Sequence, residues 1–467
     1  MKLEGLKLEP GIKIEAPITP YYARTFGSNL SSPNNMDTNI YGTSALAYDS
    51  SYNLYATGGG TNNTTGSQGL TVKFNSDNTV SWQKSLSTGS GNDYTVFYSI
   101  DTDNSNNVYI SGIVVKNWLS STKSDTYQIA KYNSSGSIQW QKDLGYGFTN
   151  FVPQFGIGII VEKSTSNFYV TGDVVIGPST GTQTTDMFLV KYNTSGSAIW
   201  GRTMGTYGTN DNSNSVALDS TGNVYIAGST IISGNNTAAL VKYNSAGVLQ
   251  WQKGLASNVG GDPNRFNNIA IDSSDNIFVC GNTYVSSLQV GMIAKYDTSG
   301  TLLWQKQLYD ATGGVFYQSI TTDSSGNVYV TGQVGIGNGL IVKYDTSGVL
   351  QWQRVFFGST TGGSTNLYGL SILLDSSDNI TIGGQANAAG NNYNMFIFKV
   401  PSDGTLTGTY VVNGITINYD TINYTDAVLT YTATTLTMTS AMPIPSSNSS
   451  SLVDANSTFV NTVTLIP

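Results

Sequence analysis

Histidine is absent from the 467 residues. With it go the Ser-His-Asp and Cys-His nucleophile pairs and every His-ligated metal centre. What is left for proton chemistry is carboxylate. Asp93, Asp125, Asp173, Asp186, Asp211, Asp262 and Asp310 lie outside the recurring turns, scattered over separate loops. Glycoside cleavage needs two carboxyls flanking one bond, and a chain closed into a ring could bring two of them together. No spacing in the sequence pairs them, however, and catalysis is not expected. Asp101-Thr102-Asp103 has ligand-like spacing, but D-x-D inside a tight turn is accounted for by turn chemistry. No metal site and no cofactor are therefore expected. Cys280, in I-F-V-C-G where other copies carry Thr, Ala or Ser, reads as a small buried side chain without a disulfide partner.

The second chemistry on offer is binding. Tyr94, Trp118, Tyr146, Phe148, Phe151, Tyr207, Arg265, Phe266, Tyr309, Phe316 and Tyr368 stand among Asn, Gly and Ser in the most variable stretches of the chain. Aromatic and arginine anchors amid small polar residues are what protein and glycan surfaces use. Whether these residues share a surface depends on the elements that carry them.

Those elements are copies of one unit. D-x-x-[GD]-N turns and their variants recur around Asn53, Asn107, Asn167, Asn223, Asn276, Asn327 and Asn379. A lysine strand follows each, at Lys73, Lys131, Lys191, Lys242, Lys295, Lys343 and Lys399. The last strand of the unit begins at Trp82, Trp140, Trp200, Trp251, Trp304 and Trp352, six times only. Each unit holds four runs rich in β-branched and aromatic residues, bounded by Asp, Asn, Ser and Gly turns, without helical spacing. A fixed period of this kind predicts an all-β fold, a seven-bladed β-propeller of four-stranded blades over residues 21–406. After Lys399 the tryptophan position falls on Gly408. The missing strand is supplied by residues 21–27, with Tyr22 in the tryptophan slot, Arg24 in the basic slot and Phe26 beyond, closing the ring and removing two open edges. In such a ring the connections between blades, and those between the two middle strands, share one face. These vary in length and carry the aromatic set, whereas the turns of the opposite face are nearly uniform.

The two ends leave the repeat. Residues 1–20 repeat K-L-E and K-I-E with Pro10 and Pro17, an extended arm able to add a strand to a neighbour's sheet. Residues 407–467 alternate apolar with Thr and Tyr and predict a small β-rich appendage, packed under the disc or exchanged with a neighbour. The net charge of −8 argues against a nucleic-acid partner, and no stretch has the length and apolarity of a membrane span. The amino terminus lacks the apolar core of a secretory signal, so synthesis in a cytoplasm is expected.

The blades resemble those of bacterial and viral β-propeller repeat proteins, which read D-x-x-G-N-[VI]-Y-V-[TA]-G followed by K-[YF]-[DN]-x-x-G-x-x-x-W. The resemblance spans about Tyr21 to Leu406. K-Y-D-T-S-G-x-x-x-W is also partly similar to the tryptophan-docking motif of quinone-dependent dehydrogenase propellers, whose cofactor constellation is absent, as is the Asp-box of sialidase-like propellers. With Gly11-Ile12-Lys13-Ile14 ahead of the repeat, the chain is similar to propeller-bearing virion proteins of tailed phages, particularly cyanophages. That resemblance implies a non-enzymatic virion component, docked to other virion proteins through residues 1–17 and the carboxy-terminal appendage, with the variable face turned to a host glycan or protein. The alternative is a bacterial surface or periplasmic propeller that binds carbohydrate or scaffolds a complex, and after it a glycosidase or lyase.

Overall fold

The computed structural model describes residues 22–27, 46–62, 66–90, 93–117, 124–144, 148–149, 157–176, 184–206, 208–256, 264–285, 288–310, 314–335, 337–360, 363–388, 392–412, 415–422, 424–428, 432–435, 448–449, 453–456 and 460–465. The 1–17 arm, Trp118, Tyr146, Phe151, Tyr207 and Asp262 lie outside them. The described residues hold strands and turns and no helix.

Seven four-stranded antiparallel blades form a ring. Their inner strands are Leu46–Tyr48, Tyr94–Thr102, Gly158–Val161, Asn212–Leu218, Arg265–Ile271, Val315–Thr322 and Gly363–Leu374, for blades 1 to 7. The outer strands of blades 1 to 6 are Val80–Ser87, Ile138–Asp143, Ala198–Met204, Leu249–Ala256, Leu302–Tyr309 and Leu350–Thr360. Blade 7 takes its outer strand, Tyr22–Gly27, from the other end of the chain. Its register places Tyr22 opposite Lys399 and Arg24 opposite Ile397. The other six blades set Trp opposite the same lysine, for example Lys242 with Trp251 and Lys343 with Trp352. Apolar burial follows the seams. Each of the seven junctions has its own core, and the last joins Met395 and Ile397 of blade 7 to Leu46, Leu54 and Leu70 of blade 1.

The recurrent polar residues hold blade to blade. In blade 4, Asp219 Oδ1 accepts the N–H groups of Thr221 and Asn223, at 3.0 and 2.8 Å. Its Oδ2 accepts Asn223 Nδ2 at 2.7 Å and the Tyr225 hydroxyl at 3.0 Å. Lys242 Nζ stands 3.7 Å from that oxygen and 4.9 Å from the centre of the Tyr225 ring. It also donates to the Thr298 carbonyl of blade 5, which Trp251 Nε1 reaches at 3.2 Å. The same paired donation joins Lys73 and Trp82 to Ser134, Lys191 and Trp200 to Ser245, and Lys295 and Trp304 to Thr346. In these blades the motif residues thus satisfy buried polar groups of their own turn or their neighbour's, whereas Trp352 Nε1 of blade 6 finds no such acceptor among the described residues. The turn needs glycine for a further reason. At Gly247, φ is +77° and a Cβ would lie 2.8 Å from the Trp200 ring of the preceding blade.

The carboxy-terminal segment is not an appendage beneath the disc. It is a belt around the rim. A hairpin of Gly408–Val412 and Ile415–Thr421 adds to the outer strand of blade 6. Thr425–Val428 then pairs with blade 5, Thr432–Thr435 with blade 4, Asn448–Ser449 with blade 2 and Val453–Asn456 with blade 1. Val460–Leu465 ends against Tyr22–Gly27 of blade 7. The belt runs opposite to the order of the blades and adds an antiparallel fifth strand to six of them. The physical reason is the edge: a closed ring still leaves one open strand per blade around its circumference, and an alternating Thr-rich segment satisfies its N–H and C=O groups.

Candidate functional site

The inner strands set the geometry of the variable face. Five of them carry a bulge at the same place, between Phe97 and Ser99, Ser213 and Ser215, Phe266 and Asn268, Tyr317 and Ser319, and Gly369 and Ser371. Bulges re-aim neighbouring side chains and end regular pairing. The bulged asparagines bridge blades: Asn214 Nδ2 donates to the Phe266 carbonyl, and Asn267 Nδ2 to that of Tyr317. Ser319 Oγ accepts the N–H of Ile372, and Asn268 Oδ1 that of Ile320. The inner wall is thereby fixed before any ligand arrives.

On this frame the residue before each bulge pair is Arg265 in blade 5, Phe316 in blade 6 and Tyr368 in blade 7. These are equivalent positions on three consecutive blades, and all three are partly exposed. Each stands beside an amide on the next strand, opposite Asn282, Gln333 and Gln385 respectively. Arg265 Nε donates to Asn282 Oδ1 at 3.1 Å, and Asn267 Nδ2 donates to the same oxygen at 3.0 Å. The guanidinium is thus oriented from behind at the seam of blades 5 and 6. Asn282 and Gln385 are buried, so what these positions expose is one cation and two rings.

The other predicted residues divide. Tyr94 begins the inner strand of blade 2 and is partly exposed. Tyr309 ends the outer strand of blade 5 at the rim, opposite Thr425 of the belt, away from the channel arc. Phe148 sits in a two-residue strand opposite Asp125. Phe266 requires correction: it is fully buried in the core between blades 4 and 5, because the bulge turns it into the seam. The amides that support the arc were missed in the sequence. Their signal was weak, one residue after a repeated glycine on the second strand.

A second group lies on the same face between blades 3 and 4. Three of the scattered carboxyls come together there. Asp186 lies over Gly205, where a Cβ would meet its carboxylate at 2.2 Å. Asp211 Oδ2 accepts the N–H of the next residue, Thr206, at 2.7 Å. Asp173 Oδ1 accepts the N–H of Ser213 at 2.7 Å. Burial pushes the Asp211 carboxyl up to about 6, Thr230 and Thr206 oppose the rise, and the Asp186 charge adds to it. Burial also raises Asp186, and raises Asp173 well above the carboxylate range against the Ser213 bond. Desolvation dominates all three, so these groups hold protons more tightly than ordinary aspartates. Asp93 instead accepts the N–H of Asn117, and Asp101 pairs with Lys163 at 2.7 Å. Among the described residues no group of acidic or sulfur side chains has the arrangement of a metal site.

A family model described as "Beta-propeller repeat" matches residues 199–235 and 303–333, within blades 3 to 4 and 5 to 6. No curated protein matches the sequence. Solved structures of similar shape include an ulvan lyase of polysaccharide lyase family PL25, with 9% identity over 82% of this chain and 96% of that one, at TM-score 0.45. Sqt1 of Chaetomium thermophilum has 10% identity over 76% and 94%, at TM-score 0.40. A gluconolactonase of Xanthomonas campestris has 8% identity over 81% and 97%, at TM-score 0.28. The likeness is one of shape. Enzymes stand among these structures, and the expectation of a non-enzymatic protein is withdrawn.

Proposed function

We propose that this propeller is a binding disc, a virion component of a tailed phage that offers the channel-mouth arc of its variable face to a host-surface glycan or protein. The observation that supports the reading is the recurrence of Arg265, Phe316 and Tyr368 at one position on three adjacent blades, each beside an amide. A repeat that keeps its turns uniform while it varies this arc concentrates change where a ligand would meet it. Replacing the three residues together by Ala is expected to cut adsorption to host cells, or retention on a glycan array, at least tenfold without lowering the melting temperature. Unchanged binding with an intact fold rules against the arc. In the same reading residues 1–17 dock the disc, so their removal leaves a folded protein that fails to enter particles.

A second reading has its own support. Raised carboxyls at Asp173, Asp186 and Asp211 are the kind of groups that protonate a glycosidic oxygen. Incubation with acidic and neutral polysaccharides, followed by reducing-end and ultraviolet-absorbing product assays, tests it. Product formation that survives Asp186→Asn would count against this cluster.

A further inference from the structure

The channel wall carries a polar row that the arc does not use. One residue is bulged out of each of five inner strands: Tyr98, Asn214, Asn267, Gln318 and Leu370, in blades 2, 4, 5, 6 and 7. The second strand makes room for the bulge. A Cβ on Gly228, Gly281 or Gly332 would fall on the carbonyl of Asn212, Arg265 or Phe316, the residue two places before it. Successive blades then link these amides. Asn214 Nδ2 donates at 2.8 Å to the Phe266 carbonyl, immediately before Asn267, and Asn267 Nδ2 donates at 2.6 Å to the Tyr317 carbonyl, immediately before Gln318. A carbonyl only accepts, so both amides are fixed with nitrogen on the wall and oxygen turned from it. Among the described residues nothing donates to Asn214 Oδ1 or Asn267 Oδ1, and the partly exposed Gln318 amide makes no hydrogen bond. An inner strand is flanked by its own second strand and by the neighbouring blades, so the 7% exposure left to each asparagine opens toward the axis.

We propose that Asn214, Asn267 and Gln318 form a binding site for the hydroxyl groups of an uncharged sugar residue at the channel mouth. The assignment rests on the reading of the arc, which lies two residues earlier on the same strands at Arg265 and Phe316, and it names the class of ligand. Three chemical features carry it. Two fixed acceptors on adjacent blades call for a ligand with neighbouring donors, and vicinal hydroxyls supply them. The row holds no carboxylate, the ligand on which protein calcium sites depend. Apolar surface adjoins it as well: Phe316 is partly exposed two residues before Gln318, and Leu370 takes the equivalent place on blade 7. A pyranose presents hydroxyls along its edge and C–H groups on its face, so amides and an aromatic ring side by side match both.

Ligand-detected NMR on the full chain tests this, with the methyl pyranosides of glucose, galactose, mannose and N-acetylglucosamine set against calcium chloride, potassium chloride and triglycine. Saturation transfer is expected to at least one pyranoside, together with shifts of the Asn214 and Asn267 side-chain amide signals. Gln318→Met removes an amide that bonds to nothing in the fold and is expected to raise the Kd at least about fivefold. Gln318→Glu keeps an acceptor and is expected to retain binding. Melting temperature confirms that both variants are folded, and the amide shifts of the unaltered chain decide the matter if one is not. No transfer to any pyranoside overturns the assignment, and so does equal affinity in Gln318→Met. Amide shifts produced by a cation or by triglycine instead of a sugar overturn it in favour of that ligand. The measurement uses no host cell, so the two readings fail separately: replacing the arc by Ala decides where the host is met, and these spectra decide what the channel takes.

Discussion

Single residues in this molecule matter through what they satisfy in the next blade. Asp211 is an exception, because it is buried at a cost. Its folded value of about 6 stands above the ordinary 3.8, so the stability of its protonated form is present below about pH 4 and is lost as pH rises through 6. Asp173 and Asp186 shift the same way and add to the slope. Asp211→Asn is therefore expected to raise the melting temperature at pH 7.5, by up to about 3 kcal/mol of stability, and to leave it unchanged at pH 4. An equal gain at both pH values would contradict this account. Gly247→Ala is expected to cost about 2 kcal/mol in urea unfolding, since it meets both a left-handed φ and the Trp200 ring. The turn and tryptophan residues were legible in the sequence because each recurs with its partner at fixed spacing. The meeting of Asp173, Asp186 and Asp211 was not, because they come from different strands and a connecting loop. Nor was the burial of Phe266, since a bulge reverses the side an alternating pattern assigns.

At the scale of elements, the sequence specified the seven blades and the closing strand through counting: seven lysine strands against six tryptophan strands left one position for Tyr22 to fill. It did not reveal the belt. Thr-rich alternation predicts strands, but the edges they would join depend on a ring that only the folded molecule possesses. Removal of residues 408–467 is expected to leave native-like blades with lowered melting temperature and early aggregation, since six outer edges lose a neighbour and become templates for pairing between chains. Light scattering during heating measures this, and a monomer that melts unchanged would show the belt to be dispensable. Deletion of residues 1–27 is expected to be more damaging than deletion of 1–20. The strand Tyr22–Gly27 has a partner on each side, so its loss bares the Asn392–Val400 edge of blade 7 and leaves Val460–Leu465 without the strand it pairs with.

For the whole molecule, closure joins Tyr22 to Lys399 and then to Leu465, contacts among the most distant the chain can make. Folding dominated by such contacts is slow. In pulse-labelled hydrogen exchange, protection of residues 22–27 and 460–465 is expected to appear after that of the central blades, and simultaneous protection would refute the order. A tail that travels backwards round a finished wheel can be laid down only once the wheel exists. During synthesis the rim strands between residues 408 and 465 emerge after the blades they cover, so a chain interrupted before them would carry naked strands along its circumference, a feature that a protease or chaperone can read from outside.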